Sequence, residues 1–129
     1  MIVVDTNVVV HLITASPSFG ERAAALLLED PEWAAPPILL SELRNVLCGL
    51  VRADVIQEAD AQEAYADALA ILRGRVGAMD GALVIETALE SGLSAYDAEF
   101  VVLARTLEVP LVTLDRAVLR AAPEVAREL

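Results

Sequence analysis

The 129-residue sequence contains no lysine, and its nine basic residues are all arginines. Chemistry that needs a lysine is therefore excluded, whether a Schiff base, a P-loop or the lysine of a phosphoacceptor site. Cysteine is nearly absent too. Cys48 stands alone beside Leu47 and Gly49, without a partner for a disulfide or a zinc site, and is expected to pack as a small buried apolar group. No apolar run uninterrupted by charge is long enough for a membrane span. The amino terminus enters a strand pattern directly, without the basic and apolar regions of a signal peptide, which predicts a cytoplasmic protein. Internal repeats and low-complexity linkers are missing as well. Positive charge is scarce: 20 acidic residues against nine basic ones give a net charge of -11. A protein that held nucleic acid by electrostatics alone would be basic.

What the sequence does have is apolar content, 57% of all residues. At this length that is enough for one compact domain over residues 1–129, with no need of disulfides or structural metal. Ile2 to Val4 read as a short strand buried on both faces, and Thr6 or Asn7 can cap a helix that Val8 to Ile13 begins. Ser16 to Gly20 read as a loop, Glu21 to Glu29 as a helix with Ala23, Leu26 and Leu27 inward, and Trp33 to Pro36 as a weak second strand. Leu39, Leu43, Val46, Leu47 and Leu50 recur at helical spacing from about Ile38 to Ala53. A second helix, Ile56 to Arg73, is expected to pair with that one as a hairpin. Val76 to Met79 are a plausible third strand. Gly81 to Gly92 form a helix ending on glycine, Ser94 to Glu108 a helix with a clear start signal, and Pro110 to Thr113 a fourth strand. Asp115 can cap a short helix through Leu119. The final "EVAREL" fits an edge strand or a frayed helix equally well. The alternation predicts an α/β fold: a central parallel sheet of four to five strands between two helical layers.

In such a sheet, ligands bind beyond the carboxyl ends of the strands, and acids fall there. Asp5 follows the first strand and Asp115 follows the fourth. Asp97 sits in the first turn of the helix before that fourth strand, and Glu42 in the first turns of the helix after the second. Thr6, Asn7 and Thr113 are polar neighbours in the same places. Each acid also has an ordinary explanation. Asp5 and Asp115 are good helix caps, Ser94 and Asp97 approximate a capping box, and Glu42 can lie on a solvated face. Against this, Asp97 lies at helical spacing over Phe100, Val101 and Ala104, a face that otherwise looks buried. Glu42 shares its stripe with Asn45, Val46 and Gly49, and a mid-helix glycine suggests close approach. Acids converging in one crevice repel each other, and a hard divalent cation with oxygen ligands is the usual offset.

Four segments in this order, "VVDTNVVV", "PPILLSELRNVL", "SAYDAEFVVLAR" and "LVTLD", resemble the PIN-domain family over essentially the whole chain. The likeness is greatest to the VapC toxins of toxin–antitoxin pairs. It implies a three-layer α/β/α PIN-like fold, with Asp5, Glu42, Asp97 and Asp115 as catalytic, metal-binding acids. Asp115 is the most variable position of the four. It implies one or two Mg²⁺ or Mn²⁺ ions per site and endoribonuclease cleavage that needs no protein nucleophile, leaving 5'-phosphate and 3'-hydroxyl ends. Thr6, Asn7 and Thr113 would support the acids or meet substrate. The resemblance gives His11 no catalytic role, so it is expected to be structural or at the surface, and Glu99 points to another helix face. Arg44, Arg52 and Arg116 are candidates for phosphate contact.

The partners implied are RNA, most plausibly a structured tRNA or rRNA loop, and a VapB-type antitoxin whose basic carboxy-terminal segment crosses the crevice. A second copy of the chain is expected against the Ile38 to Arg73 hairpin. Acidity predicts weak, salt- and metal-dependent binding of generic RNA. Receiver domains and haloacid-dehalogenase-type phosphatases fit less well. The former need a lysine, and the latter need an aspartate where Asn7 stands. Two alternatives stay open: a catalytically degenerate PIN domain that only binds protein or RNA, and a housekeeping RNA-processing PIN nuclease.

Overall fold

The computed structural model describes all residues, 1–129. Three consecutive β-branched residues make β1 (Ile2–Val4), and all three are buried, as a central strand of a parallel sheet requires. β2 (Trp33–Ala34) pairs with one side of β1 and β3 (Leu111–Thr113) with the other, both parallel. β4 (Ala126–Glu128) adds to β3, again parallel, so the order is β2-β1-β3-β4. The carboxy-terminal segment is thus an edge strand. Its hydrogen bonds to β3 hold it there, and Leu129 closes over the core.

Seven helices complete the fold: α1 (Thr6–Ile13), α2 (Phe19–Glu29), α3 (Ile38–Arg52), α4 (Glu58–Leu72), α5 (Gly81–Ser91), α6 (Ala95–Leu107) and α7 (Arg116–Ala121). The three-layer reading holds, and the helical hairpin forms as α3 packs on α4. Leu39, Leu43 and Leu47 recur every four residues and are the buried stripe of α3. α6 is the most deeply set helix, with Ala98 and Phe100 through Ala104 all buried. Its position against β1 and β3 delivers Asp97 to the carboxyl end of the sheet.

Several expectations need correction. Val76 to Met79 are not a strand: a single bridge joins Val76 to Ala35, and the partner segment runs on into Pro36 and Pro37, which have no N–H to extend the ladder. The helix cap before α1 is Asp5, as one of the two readings expected, and not Thr6 or Asn7, which lie inside the helix. α2 begins at Phe19, inside the expected loop. Cys48 is exposed, not buried, since it follows Leu47 and is turned about 100° away from the buried stripe. A Cβ at Gly49 would meet nothing within 4 Å beyond its own helix, so this mid-helix glycine marks no close approach. No helix is long and apolar enough to cross a membrane.

Candidate active site

β1 ends at Val4, opposite Val112 of β3, and Asp5 is the first residue beyond it. Its backbone N–H still donates to Val112 O at 3.0 Å, which fixes the side chain between α1 and the end of β3. One carboxyl oxygen accepts from Thr6 N at 2.6 Å. The other accepts from Asn7 Nδ2 at 3.1 Å and from Thr113 Oγ1 at 2.6 Å. Thr113 is fully buried, and its hydroxyl also accepts from Asp115 N at 2.9 Å. Asn7 Oδ1 accepts from Leu114 N at 3.2 Å. Thr6 Oγ1 donates to Glu42 Oε2. The three polar neighbours therefore bind Asp5, Glu42 and the loop after β3 into one network.

Asp5, Glu42, Asp97 and Asp115 come from four separate segments and line one open cavity of about 440 Å³, with Thr6 and Asn7 beside them. Thr113 stands behind Asp5 and does not reach the lining. Burial pushes the Asp5 carboxyl up to about 6. The hydrogen bonds from Thr113 and Thr6 pull it back, and the charges of Glu42 and Asp97 push it up again. Asp97 is half-buried, and its carboxylate accepts no hydrogen bond from the protein. Only half of the expected capping box forms: Ser94 Oγ accepts from Asp97 N at 3.0 Å, with no return bond. Asp115 does cap α7, accepting from Ala117 N at 2.7 Å and Val118 N at 3.3 Å.

The donor set is all oxygen and largely carboxylate, and no arginine lines the cavity. A hard divalent cation suits such a set. No three acids or other ligating groups stand close enough to form a preassembled ion site. Ligation by more than two of them needs side-chain movement, which the unbonded Asp97 carboxylate is free to make.

A family model described as "PIN domain" matches residues 2–124. The chain belongs to the PIN domain family. Its fold agrees with two solved structures. One is PAE2754 from Pyrobaculum aerophilum: 22% identity, TM-score 0.79, covering 98% of this chain and 89% of that one. The other is FitAcB from Neisseria gonorrhoeae, at 21% identity and TM-score 0.68, covering 98% and 96%. No curated protein sequence matches the chain significantly. PIN domains are generally nucleases, and a cavity of acids at the carboxyl end of the sheet is compatible with that chemistry.

This PIN domain places other residues differently from expectation. His11 and Asn45 also line the acid cavity. Each was visible as a helical neighbour of an assigned residue, His11 four residues after Asn7 and Asn45 three after Glu42. Arg44 and Arg52 face a separate groove between α3 and α4. There Arg44 donates to Tyr65 Oη at 2.8 Å and lies over its ring. Arg116 is exposed at the start of α7. Glu99 is half-buried in a neighbouring cavity with Ser41 and Met79, and burial together with the charge of Glu42 pushes its carboxyl upward.

Proposed function

We propose that the chain is a metal-dependent endoribonuclease, the VapC-type toxin of a toxin–antitoxin pair, and that Asp5, Glu42, Asp97 and Asp115 are its catalytic acids. The observation that carries this reading is the meeting of four carboxylates from four separate segments in one cavity without an arginine among them. Carboxylates sharing one cavity without an arginine repel one another, and a divalent cation drawn in among them would offset that repulsion.

In this reading Asp5 and Asp97 are the principal ligands of Mg²⁺ or Mn²⁺, one or two ions per site, with Glu42 and Asp115 completing the set. The chemistry contributed by the bound cation is activation of water near neutral pH and neutralisation of charge on the scissile phosphate. The protein's own part is positional. Thr113 and Thr6 orient the Asp5 carboxyl, Thr6 also holds Glu42, and Asn7 fixes the approach of the loop carrying Asp115. Because the net charge is -11, substrate selection rests on the shape of a structured tRNA or rRNA loop more than on general attraction. The same acidity suits a VapB-type antitoxin with a basic carboxy-terminal segment. We place the protein in the cytoplasm as a homodimer joined through the α3–α4 hairpin.

End-labelled total transfer and ribosomal RNA, incubated with the purified protein in Mg²⁺ or Mn²⁺ and in chelator, tests the activity. Discrete cuts that need the metal and vanish in Asp97→Asn are the expected result. If wild type and variant leave every RNA intact while metal still binds, the nuclease reading gives way to a partner-binding PIN domain.

A further inference from the structure

The lining of the acid cavity raises a problem that its four carboxylates do not solve. An RNA strand entering it brings phosphates into a negative field, and a cation among the acids neutralises only the reacting centre. His11 is the one basic side chain in the lining, and its surroundings are built rather than loose. Its Nδ1 is 2.6 Å from Ser16 Oγ, which occupies one ring nitrogen and leaves the other for a ligand. Its ring meets Phe19, centroid to centroid, at 5.0 Å with a 46° tilt. The Arg22 guanidinium lies 5.5 Å above the same Phe19 ring. Histidine, phenylalanine and arginine thus form a column from the cavity to the surface.

The backbone goes to some trouble to hold this column. Phe19 N donates to Pro17 O at 2.8 Å, and Ser18 between them has φ 67° and ψ -69°. This is the rare, strained γ-turn with positive φ. Ala15 also adopts positive φ, at 47°. Gly20 lets α2 press onto the end of α1: a Cβ there would lie 2.8 Å from His11 O. Strain of this kind persists where the surroundings over-determine it, and it gathers at sites that position a ligand. Phe19 keeps 37% of its surface exposed, and Arg22 is exposed and makes no ion pair or hydrogen bond through its guanidinium. The contrast with the other aromatic–arginine pair is informative, because Arg44 is tied to Tyr65 and Ser41 by hydrogen bonds.

We propose that the His11–Phe19–Arg22 column receives the RNA strand as it leaves the acid cavity, His11 contacting it at the rim and Arg22 contacting a phosphate beyond. These are positioning residues, and the inference rests on the ribonuclease reading above. Arg22, a cation outside the acid cluster, attracts the strand without neutralising the ligands within it. Stacking on Phe19 aims Arg22 outward at low entropic cost.

The test is steady-state cleavage of total transfer and ribosomal RNA in Mn²⁺ by wild type, Arg22→Gln, Arg22→Lys, His11→Gln and, as a charge control, Arg120→Gln on α7. Arg22→Gln is expected to raise the apparent KM about tenfold with kcat within about twofold. It should also reduce the slope of log KM against log salt by about 0.7, the loss of one single-strand phosphate contact. Arg22→Lys should recover most of both effects, His11→Gln should raise KM with kcat within about twofold, and Arg120→Gln should leave KM and the salt slope as in wild type. If the wild type cleaves and the Arg22 and His11 variants behave like Arg120→Gln, the column serves only to join α1 to α2 and the proposal falls. If the wild type cuts no RNA, the ribonuclease reading itself fails and takes the column's role with it.

Discussion

Asp5 carries opposed demands, and pH separates them. Its folded-state carboxyl titrates at about 6 against an ordinary 3.8, so the native state holds the proton more tightly than the unfolded chain. The resulting stability is fully present below pH 3.8 and is lost as pH rises through 6. A rise of this size corresponds to about 2–3 kcal/mol, the lower end allowing for partial screening at a half-buried site. In chelator, the difference in stability between Asp5→Asn and wild type should therefore grow in favour of the variant from about pH 4 to about pH 8, measured by thermal melts. Taking the difference removes Asp30 and Glu124, whose carboxyls are lowered by the amino terminus and by Arg105 and so act in the opposite sense. If the two proteins show parallel pH curves, burial does not strain Asp5. Asp97 and Asp115 separate in a different way. The Asp97 carboxylate has no partner in the protein, so Asp97→Asn should abolish cleavage with stability changed by less than about 0.5 kcal/mol. Asp115 caps α7 through two backbone N–H groups, so Asp115→Ala should cost about 1 kcal/mol whatever its part in catalysis. Chemical denaturation of both variants decides whether the ordinary explanation of each acid survives beside the catalytic one.

At the scale of elements, the junction of α1 and α2 is the least forgiving. A methyl group on Gly20 would meet backbone on both sides, His11 O at 2.8 Å and Ala15 C at 2.9 Å, and backbone cannot turn aside as a side chain can. Gly20→Ala should cost about 1–3 kcal/mol as overpacking and lower affinity for RNA through the column. Gly49→Ala, in open space on α3, should stabilise by about 0.5–1 kcal/mol from helix propensity. Urea midpoints of the two variants should move in opposite directions. This pair also marks what the sequence could and could not convey. α3 and α6 were readable almost to the residue, α3 from its Leu39, Leu43 and Leu47 stripe and α6 from the start signal at Ser94. The mid-helix glycine that suggested close approach sits in open space, while the glycine that allows it was placed in a loop. The difference lies in tertiary approach, which periodicity does not encode. Val76 to Met79 differ for a related reason: only one bridge to Ala35 forms, and the partner segment leaves the ladder at Pro36 and Pro37. Of the site, Asp5, Glu42, Asp97 and Asp115 were legible because their spacing in four motifs matches a family. Asn45 lies within the segment around Glu42 but carries no assigned role there, His11 falls just beyond the first segment, and helix periodicity from Glu42 and Asn7 is what pointed them at the cavity.

For the whole molecule, the surplus of acid has two components that respond differently to ions. The four site acids contribute to the net charge of -11, and the rest is spread over the surface as mutual repulsion. Monovalent salt screens the surface component alone, over a Debye length of about 8–10 Å at physiological strength. A divalent cation held in the cavity acts on the site acids and adds stability by mass action, about 2.7 kcal/mol at a hundredfold excess over its Kd. Mn²⁺ at low millimolar concentration should therefore raise the melting temperature of the wild type well above what NaCl of equal ionic strength achieves. In Asp97→Asn the Mn²⁺ increment should shrink towards the NaCl increment, while the NaCl increment itself stays the same. Equal increments from Mn²⁺ and NaCl in both proteins would mean that the divalent ion only screens. The cavity would then be a cluster of repelling acids with no cation of its own, and the partner-binding reading of the fold would become the stronger one.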